Sequence, residues 1–134
     1  MTMLGVNLDE VVEKPRLPEG QPFTFQFVSV EPKIAQNPNK KTGVREPYLN
    51  CKLSPLEPDW NDREIYHSFS LSPGALSSDD PLFSIKKFFL IVGFKWNPDG
   101  SFSTEDLLTL RFVGTVKYDE KKFARLDSIV RSAM

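Results

Sequence analysis

From Gln21 the stretch QPFTFQFVSVEPKI sets Phe23, Phe25 and Phe27 against Thr24 and Gln26, then shifts phase to Val28 and Val30. A phase shift within a run of period two predicts a strand that bulges or bends. After the turn formers NPNKKTG, the stretch REPYLNCKLS puts Leu49, Cys51 and Leu53 on one face and Tyr48, Asn50 and Lys52 on the other, which is the pattern of a half-buried strand. The prolines and acids of PLEPDWNDR make a loop, and EIYHSFSLS then alternates Ile65, His67, Phe69 and Leu71 with Tyr66, Ser68 and Ser70, a third strand.

The period then changes. Asp80 stands where an N-cap belongs and Pro81 at a first helical position. Leu82, Ile85, Phe89 and Val92 follow at helical spacing and Gly93 sits where a helix stops, so one helix is predicted over Pro81 to Val92. WNPDGSFSTEDL reads as a polar loop. LLTLRFVGTVKY then sets Leu108, Leu110, Phe112 and Val116 against Thr109, Arg111, Val113, Thr115 and Lys117, with Gly114 marking a bend or close packing. A turn at DEKK leads to FARLDSIVRS, whose apolar residues do not settle the period and suit a strand or a short helix; the order of the whole favours a strand. Residues 1–20 have weak periodicity and read as an arm outside the core, with residues 21–134 as the folded domain.

Three strands, a helix and two strands make an all-β chain with one helix. The expected arrangement is a five-stranded OB-fold-like barrel whose helix lies between strands 3 and 4 and whose bulged first strand serves both halves. An α+β sandwich with the helix laid on an open sheet has the same signature.

Composition narrows the chemistry. At 134 residues one domain is expected, with eleven phenylalanines to fill its core. Seventeen Lys and Arg against eighteen Asp and Glu leave a net charge of -1, so any charge argument must be local. Cys51 is the only cysteine and His67 the only histidine, which excludes an intrachain disulfide and a Cys/His zinc cluster. Both share the parity of core residues and are expected to be buried, His67 with its hydrogen bond satisfied. There is no Gly-rich phosphate loop, nucleophile elbow or metal-ligand cluster, and Asp79-Asp80 is better explained by capping, so neither catalysis nor a cofactor or metal is expected. No basic, apolar leader opens the chain and no run approaches a membrane span, so a soluble intracellular protein is expected, with no membrane partner.

The Phe-rich strand led by Gly20, the Lys/Thr/Gly loop, YLNCKL, HSFSLSPGAL, a helix closing on LIVGF and the long LTLRFVGTVKYDEKKFARLDSIV together resemble the single-stranded DNA-binding proteins of bacteriophage replication modules. The likeness runs from about Gly20 to Val130 and lies in element order and texture. It implies an OB-fold that coats exposed single-stranded DNA in replication and recombination, in the host bacterial cytoplasm, with homo-oligomers and replication proteins as further partners. Many such proteins end in an acidic tail; the last residues here are RSAM.

Binding single strands without sequence preference needs cations along a groove and aromatic faces on which bases stack. On strand two the outward residues are Tyr48, Asn50 and Lys52, and on strand three Tyr66 joins them. The first loop supplies Lys33, Lys40, Lys41 and Arg45, and the fourth strand with its following turn supplies Arg111, Lys117, Lys121 and Lys122, followed by Arg125. These twelve, without Arg125, form the candidate DNA-binding set, and Tyr48 is the one whose loss is expected to matter most. Each also has an ordinary explanation: loop lysines are solvated and outward tyrosines pack across strands. The acids Glu57, Asp59, Asp62 and Glu64 weigh against binding if their loop lies near the face. Trp60 and Trp96 suit plugs at the barrel ends or extra stacking platforms. Stacking does not read the 2′-OH, so RNA stays open beside DNA. The competing reading is an OB-fold protein-interaction module, a virion or replisome adaptor, whose tyrosines contact a protein.

Overall fold

Phe27 faces Leu53 and Ser29 faces Lys52 across an antiparallel pair, which leaves Val28 out of the ladder as a bulge, 50% exposed. The phase shift seen in the sequence is therefore a register shift. The computed structural model describes residue 5 and residues 16–41 and 43–133. Their elements are β1 (Phe23–Ile34), β2 (Pro47–Pro55), β3 (Ile65–Ser70), α1 (Pro73–Leu76), α2 (Ile85–Val92), α3 (Thr104–Leu108), β4 (Arg111–Tyr118) and β5 (Ala124–Ser132). The five strands close on themselves in the order β1-β2-β3-β5-β4, a mostly β, barrel-like fold. Closure depends on the bent first strand, which pairs with β4 over Phe23 to Gln26 and with β2 from Phe25 to Ile34. Strand β5 pairs antiparallel with β4 and parallel with β3, where Tyr66 faces Arg125.

The inward positions of the strands and one face of α2 share a single core. Phe25, Phe69, Phe88, Phe89 and Phe112 are all at 1% exposure or less. Phe88 reaches from α2 into the sheet, with ring centroids 5.4 Å from Phe69, 5.2 Å from Phe112 and 5.8 Å from Phe27. Each such side chain contributes about 1.5–3 kcal/mol of burial, so this aromatic cluster is a substantial share of the hydrophobic stabilisation. Both tryptophans are half-buried against it, Trp60 edge-on to Phe23 at 5.9 Å and Trp96 at 6.3 Å from Phe89, which favours plugs over platforms.

The connection between β3 and β4 departs from the one-helix expectation. It holds three short helices, and the long one starts at Ile85 rather than Pro81. Asp80 does not cap it. The Asp80 carboxylate accepts the Leu82 N–H at 2.9 Å and its carbonyl accepts those of Phe83 and Ser84, closing a separate turn. The N-cap is Ser84, fully buried, whose Oγ accepts the Lys87 N–H at 3.3 Å and donates to the Leu76 carbonyl at 3.0 Å. Gly93 does end the helix, at φ 76°. The expected polar loop contains α3, where the Asp106 carboxylate accepts the Ser103 N–H at 2.9 Å. Leu108 ends this helix 45% exposed and is not an inward strand residue, and Val113, expected outside, is 7% exposed beside a register shift.

The arm differs as well. Leu17, expected outside the core, is 3% exposed within it. Residues 1–4 and 6–15 of the expected arm lie outside the described residues.

Gly114 faces Phe23 on one neighbour and Ile129 on the other, and a Cβ there would meet the Ser128 carbonyl oxygen at 2.6 Å. Backbone cannot yield as a side-chain tip does, so Gly114→Ala is expected to destabilise the fold by about 2 kcal/mol through strand displacement. Chemical denaturation of both proteins checks this; an unchanged midpoint would show that the β4–β5 pair has slack the geometry denies.

Candidate functional site

Antiparallel register lines up the outward residues of β1, β2 and β3 in rows across the strands. Near the hairpin end the row is Lys33, Tyr48, Ser70; next comes Glu31, Asn50, Ser68; then Ser29, Lys52, Tyr66. The parallel contact Tyr66–Arg125 and the antiparallel pair Arg125–Lys117 carry this last row around onto β5 and β4. Tyr48, Asn50, Lys52 and Tyr66 thus share one outward surface, while Leu49, Cys51, Leu53, Ile65 and Phe69 of the same strands are buried.

The two tyrosines are not neighbours. Tyr48 stands opposite Ser70 and Tyr66 opposite Lys52, an offset of four residues along the strand, which is about 13 Å at the usual rise. Tyr66 has the richer surroundings. Lys52 Nζ and Arg125 Cζ each lie 6.0 Å from its ring centroid, at the outer reach of cation–π attraction. Its hydroxyl donates to Glu64 at 3.3 Å.

The cations divide into three groups. Lys33, Lys52 and Lys117 are paired with Glu31, Glu64 and Asp127 at 3.8–4.0 Å. Exposed pairs of this length contribute at most about 1 kcal/mol and exchange readily for another anion. Lys40, Lys41, Lys121 and Lys122 are exposed at two hairpin turns, and Arg45 Nε donates to the Ala35 carbonyl at 2.8 Å, bracing the first hairpin. Arg111 is set apart: it faces Gln26 of β1 at the start of β4, around the barrel from the β2–β3 face. Of the acids of the loop before β3, Glu64 does reach the face, whereas Glu57 turns inward to accept the Thr24 N–H and fastens the loop to β1.

Residues that sequence reasoning passed over complete the surroundings of Tyr66. A groove of about 240 Å³ beside it is lined by Arg16, Arg63, Tyr118, Lys122 and Phe123 among others. The sequence hint was Phe123 next to the Lys121-Lys122 pair; nothing local announced Tyr118 or Arg16, which meet across the whole chain. Arg16 Cζ lies 3.7 Å from the Tyr118 ring centroid, and the Tyr118 hydroxyl donates to the Leu17 carbonyl at 2.8 Å.

Cys51 is fully buried, and burial pushes its thiol up to about 12, so it stays protonated and unreactive at neutral pH. His67, expected to be buried, is half-buried rather than part of the core, yet desolvation still pushes it down to about 4, with Arg125 and Lys117 acting in the same direction; the Leu82 carbonyl, which accepts the Nε2–H at 2.8 Å, and Asp80 oppose it. His67 is thus neutral in the folded chain, with its ring edge-on to Phe69 at 4.6 Å. Because its folded value lies below the ordinary 6.5, its stabilisation is complete above about pH 6.5 and is lost as pH falls toward about 4. Between about pH 7 and about pH 5 the wild-type protein is expected to lose at most about 2 kcal/mol from this group. His67→Gln, which can still donate to Leu82, should flatten that slope in thermal unfolding; an unchanged slope would assign it to other groups.

Among the described residues no three His, Cys, Asp or Glu side chains gather as a metal ion would need, and no helix is long and apolar enough to cross a membrane. Comparison of the chain with protein-family models, with curated proteins and with solved structures finds no match.

Proposed function

We propose that this chain is a single-stranded DNA-binding protein of the OB-fold type, coating exposed strands during phage replication or recombination by phosphate neutralisation and base stacking. The observation that carries the reading is the outward row Lys52–Tyr66–Arg125–Lys117, an aromatic face flanked by cations and running continuously over three neighbouring strands and a fourth. The strand order, the bulged β1 shared by two neighbours and the helices between β3 and β4 support the OB-fold assignment. Within the face the weight moves from Tyr48 to Tyr66, because Tyr66 has cations on hand and Tyr48 has only Lys33 in its row.

The ion pairs are compatible with this. Lys33, Lys52 and Lys117, held by neighbouring carboxylates at 3.8–4.0 Å, can turn to a phosphate at small cost, whereas Arg125 stays with Asp119 at 3.1 Å and flanks the Tyr66 ring from there. Saturable binding of oligo-dT is expected, weakening roughly 10- to 100-fold between about 50 mM and about 200 mM salt as a few phosphate contacts release counterions. Tryptophan or anisotropy titration at the two concentrations measures it; no binding at the lower one would sink the proposal. Oligo-U in the same titration compares RNA with DNA.

A protein-interaction module is the second reading. It is favoured by Phe83, Leu90 and Ile91, which are 59%, 57% and 37% exposed on α2 and the turn before it. The same surface suits a homo-oligomer contact or a replication partner alongside DNA binding. Sedimentation at several concentrations, with Leu90→Ser as the variant, tests self-association: a concentration-dependent mass lost in the variant is the expected result.

A further inference from the structure

The groove beside Tyr66 is preformed by two devices that the strand face does not require. One is the turn between β4 and β5. Its Asp119 carboxylate accepts the Lys121 N–H at 3.0 Å, the Phe123 N–H at 2.9 Å and Arg125 Nε at 3.1 Å. These donors hold the carboxyl below its ordinary range, the Phe123 N–H most of all. Within the turn Lys122 has φ 65°, the left-handed conformation that residues with a Cβ adopt only at a cost. It is the one non-glycine residue among those described that does so. The result is a fixed turn that holds a phenylalanine 52% exposed.

The second device is the segment before β1. The Tyr118 N–H donates to Glu19 Oε1 at 3.2 Å and its hydroxyl to the Leu17 carbonyl, while the Arg16 guanidinium covers one face of the ring. Arg16 is thereby brought to the rim opposite in sequence from Lys122, and both line the groove with Tyr66 and Phe123. The space, about 240 Å³, is smaller than the usual range for drug-sized ligands and suits one planar heterocycle. Glu64 also lines it, but its carboxylate is already engaged by Lys52 at 3.8 Å and the Tyr66 hydroxyl.

We propose that this groove receives a single nucleobase of a strand lying on the β2–β3 face, stacked on Phe123, with a flanking phosphate held by Lys122 and Arg16. The proposal rests on the DNA-binding reading above and adds to it a base-sized subsite built by the β4–β5 turn and residues 16–19. An exposed phenylalanine costs little to remove from the fold, so its loss reports on ligand rather than on folding.

The test is oligo-dT affinity of the full chain for wild type, Phe123→Ala, Phe123→Trp and Lys122→Gly, with photo-cross-linking of the wild type to an oligonucleotide carrying 5-iododeoxyuridine. Expected are a loss of about tenfold or more for Phe123→Ala and retention for Phe123→Trp, since a stacking face is what matters. Lys122→Gly fits the left-handed turn and should reduce the salt slope by about 0.7, one phosphate contact. Cross-links should map to Phe123, Tyr66 or Tyr118. If wild type binds and Phe123→Ala binds equally, or cross-links fall only on Tyr48, the subsite is wrong while the DNA-binding reading stands. If wild type does not bind oligo-dT at low salt, both fall. Poly-glutamate supplies anions without bases; binding it as tightly as oligo-dT, with loss in Phe123→Ala, would make the groove a site for an acidic peptide and overturn base recognition.

Discussion

Replacing Tyr48 and Tyr66 together by alanine should weaken oligo-dT binding by the product of the two single losses, each about 5- to 150-fold if each ring stacks one base. Additivity follows from the register. The four-residue offset puts the two residues about 13 Å apart along the strand direction, beyond the distance at which substitutions usually couple. Tyr66→Ala should be the more costly single change. It removes a ring flanked by Lys52 and Arg125 and frees Glu64, whose carboxylate then faces the strand with only Lys52 to neutralise it. Tyr66→Phe separates these effects: it keeps the face, loses the bond to Glu64 and should retain most of the affinity. Titrations of the four proteins at one low salt concentration measure the cycle. Wild-type affinity in the double variant, with wild-type binding established, would remove both rings from the interface and leave a purely cationic mode.

How much of this was legible in the sequence depended on whether the cause was local. The bulge could be read because five residues from Phe23 to Phe27 keep one parity and Val28 breaks it, and a bulge is a one-residue event. The inside and outside of β2 and β3 could be read for the same reason, since period two is set by the backbone of each strand alone. Gly114 was legible as a tight spot, although the atom that makes it tight, the Ser128 carbonyl, belongs to another strand.

The helical connection was misread where two local signals competed. Asp80-Pro81 has the form of a helix start, but Ser84 has a tertiary partner, the Leu76 carbonyl, that Asp80 lacks, and the buried hydroxyl therefore caps the helix one turn later. Helix α3 has only five residues, too few for a period to appear. Its one signal was a serine followed three residues later by an acid. The geometry of the candidate face was legible in the half that lies on two adjacent strands. Its other half was not, because Tyr118 and Leu17 are 101 positions apart and only closure of the sheet brings them together. Pairing of Lys117 with Asp127 likewise needs the β4–β5 register, so the cation count overstated the free charge on the face.

Phe88→Ala should be the most damaging single substitution in the fold, costing about 3–5 kcal/mol. The ring is fully buried and is surrounded by Phe27, Phe69, Phe89 and Phe112 at 5.2–6.1 Å, so no flexible neighbour can swing in to fill the void. Against a total of roughly 5–15 kcal/mol this is a large share, and the unfolding midpoint should fall by about 10 °C or more. Phe83→Ala is the control: the same chemistry at 59% exposure should shift it little. The consequence extends to the candidate face through β3. Phe69 packs on Phe88 from the inside of the strand whose outer side carries Tyr66, Ser68 and Ser70. Loosening that contact frees β3 to shift against β2 and loses the alignment of Lys52 with Tyr66. Hydrogen exchange should accordingly show faster amide exchange along β3 and α2 in Phe88→Ala than along the β4–β5 pair. Uniform acceleration would instead mean that the whole sheet opens as one unit, and the face would then have no stability of its own to lose.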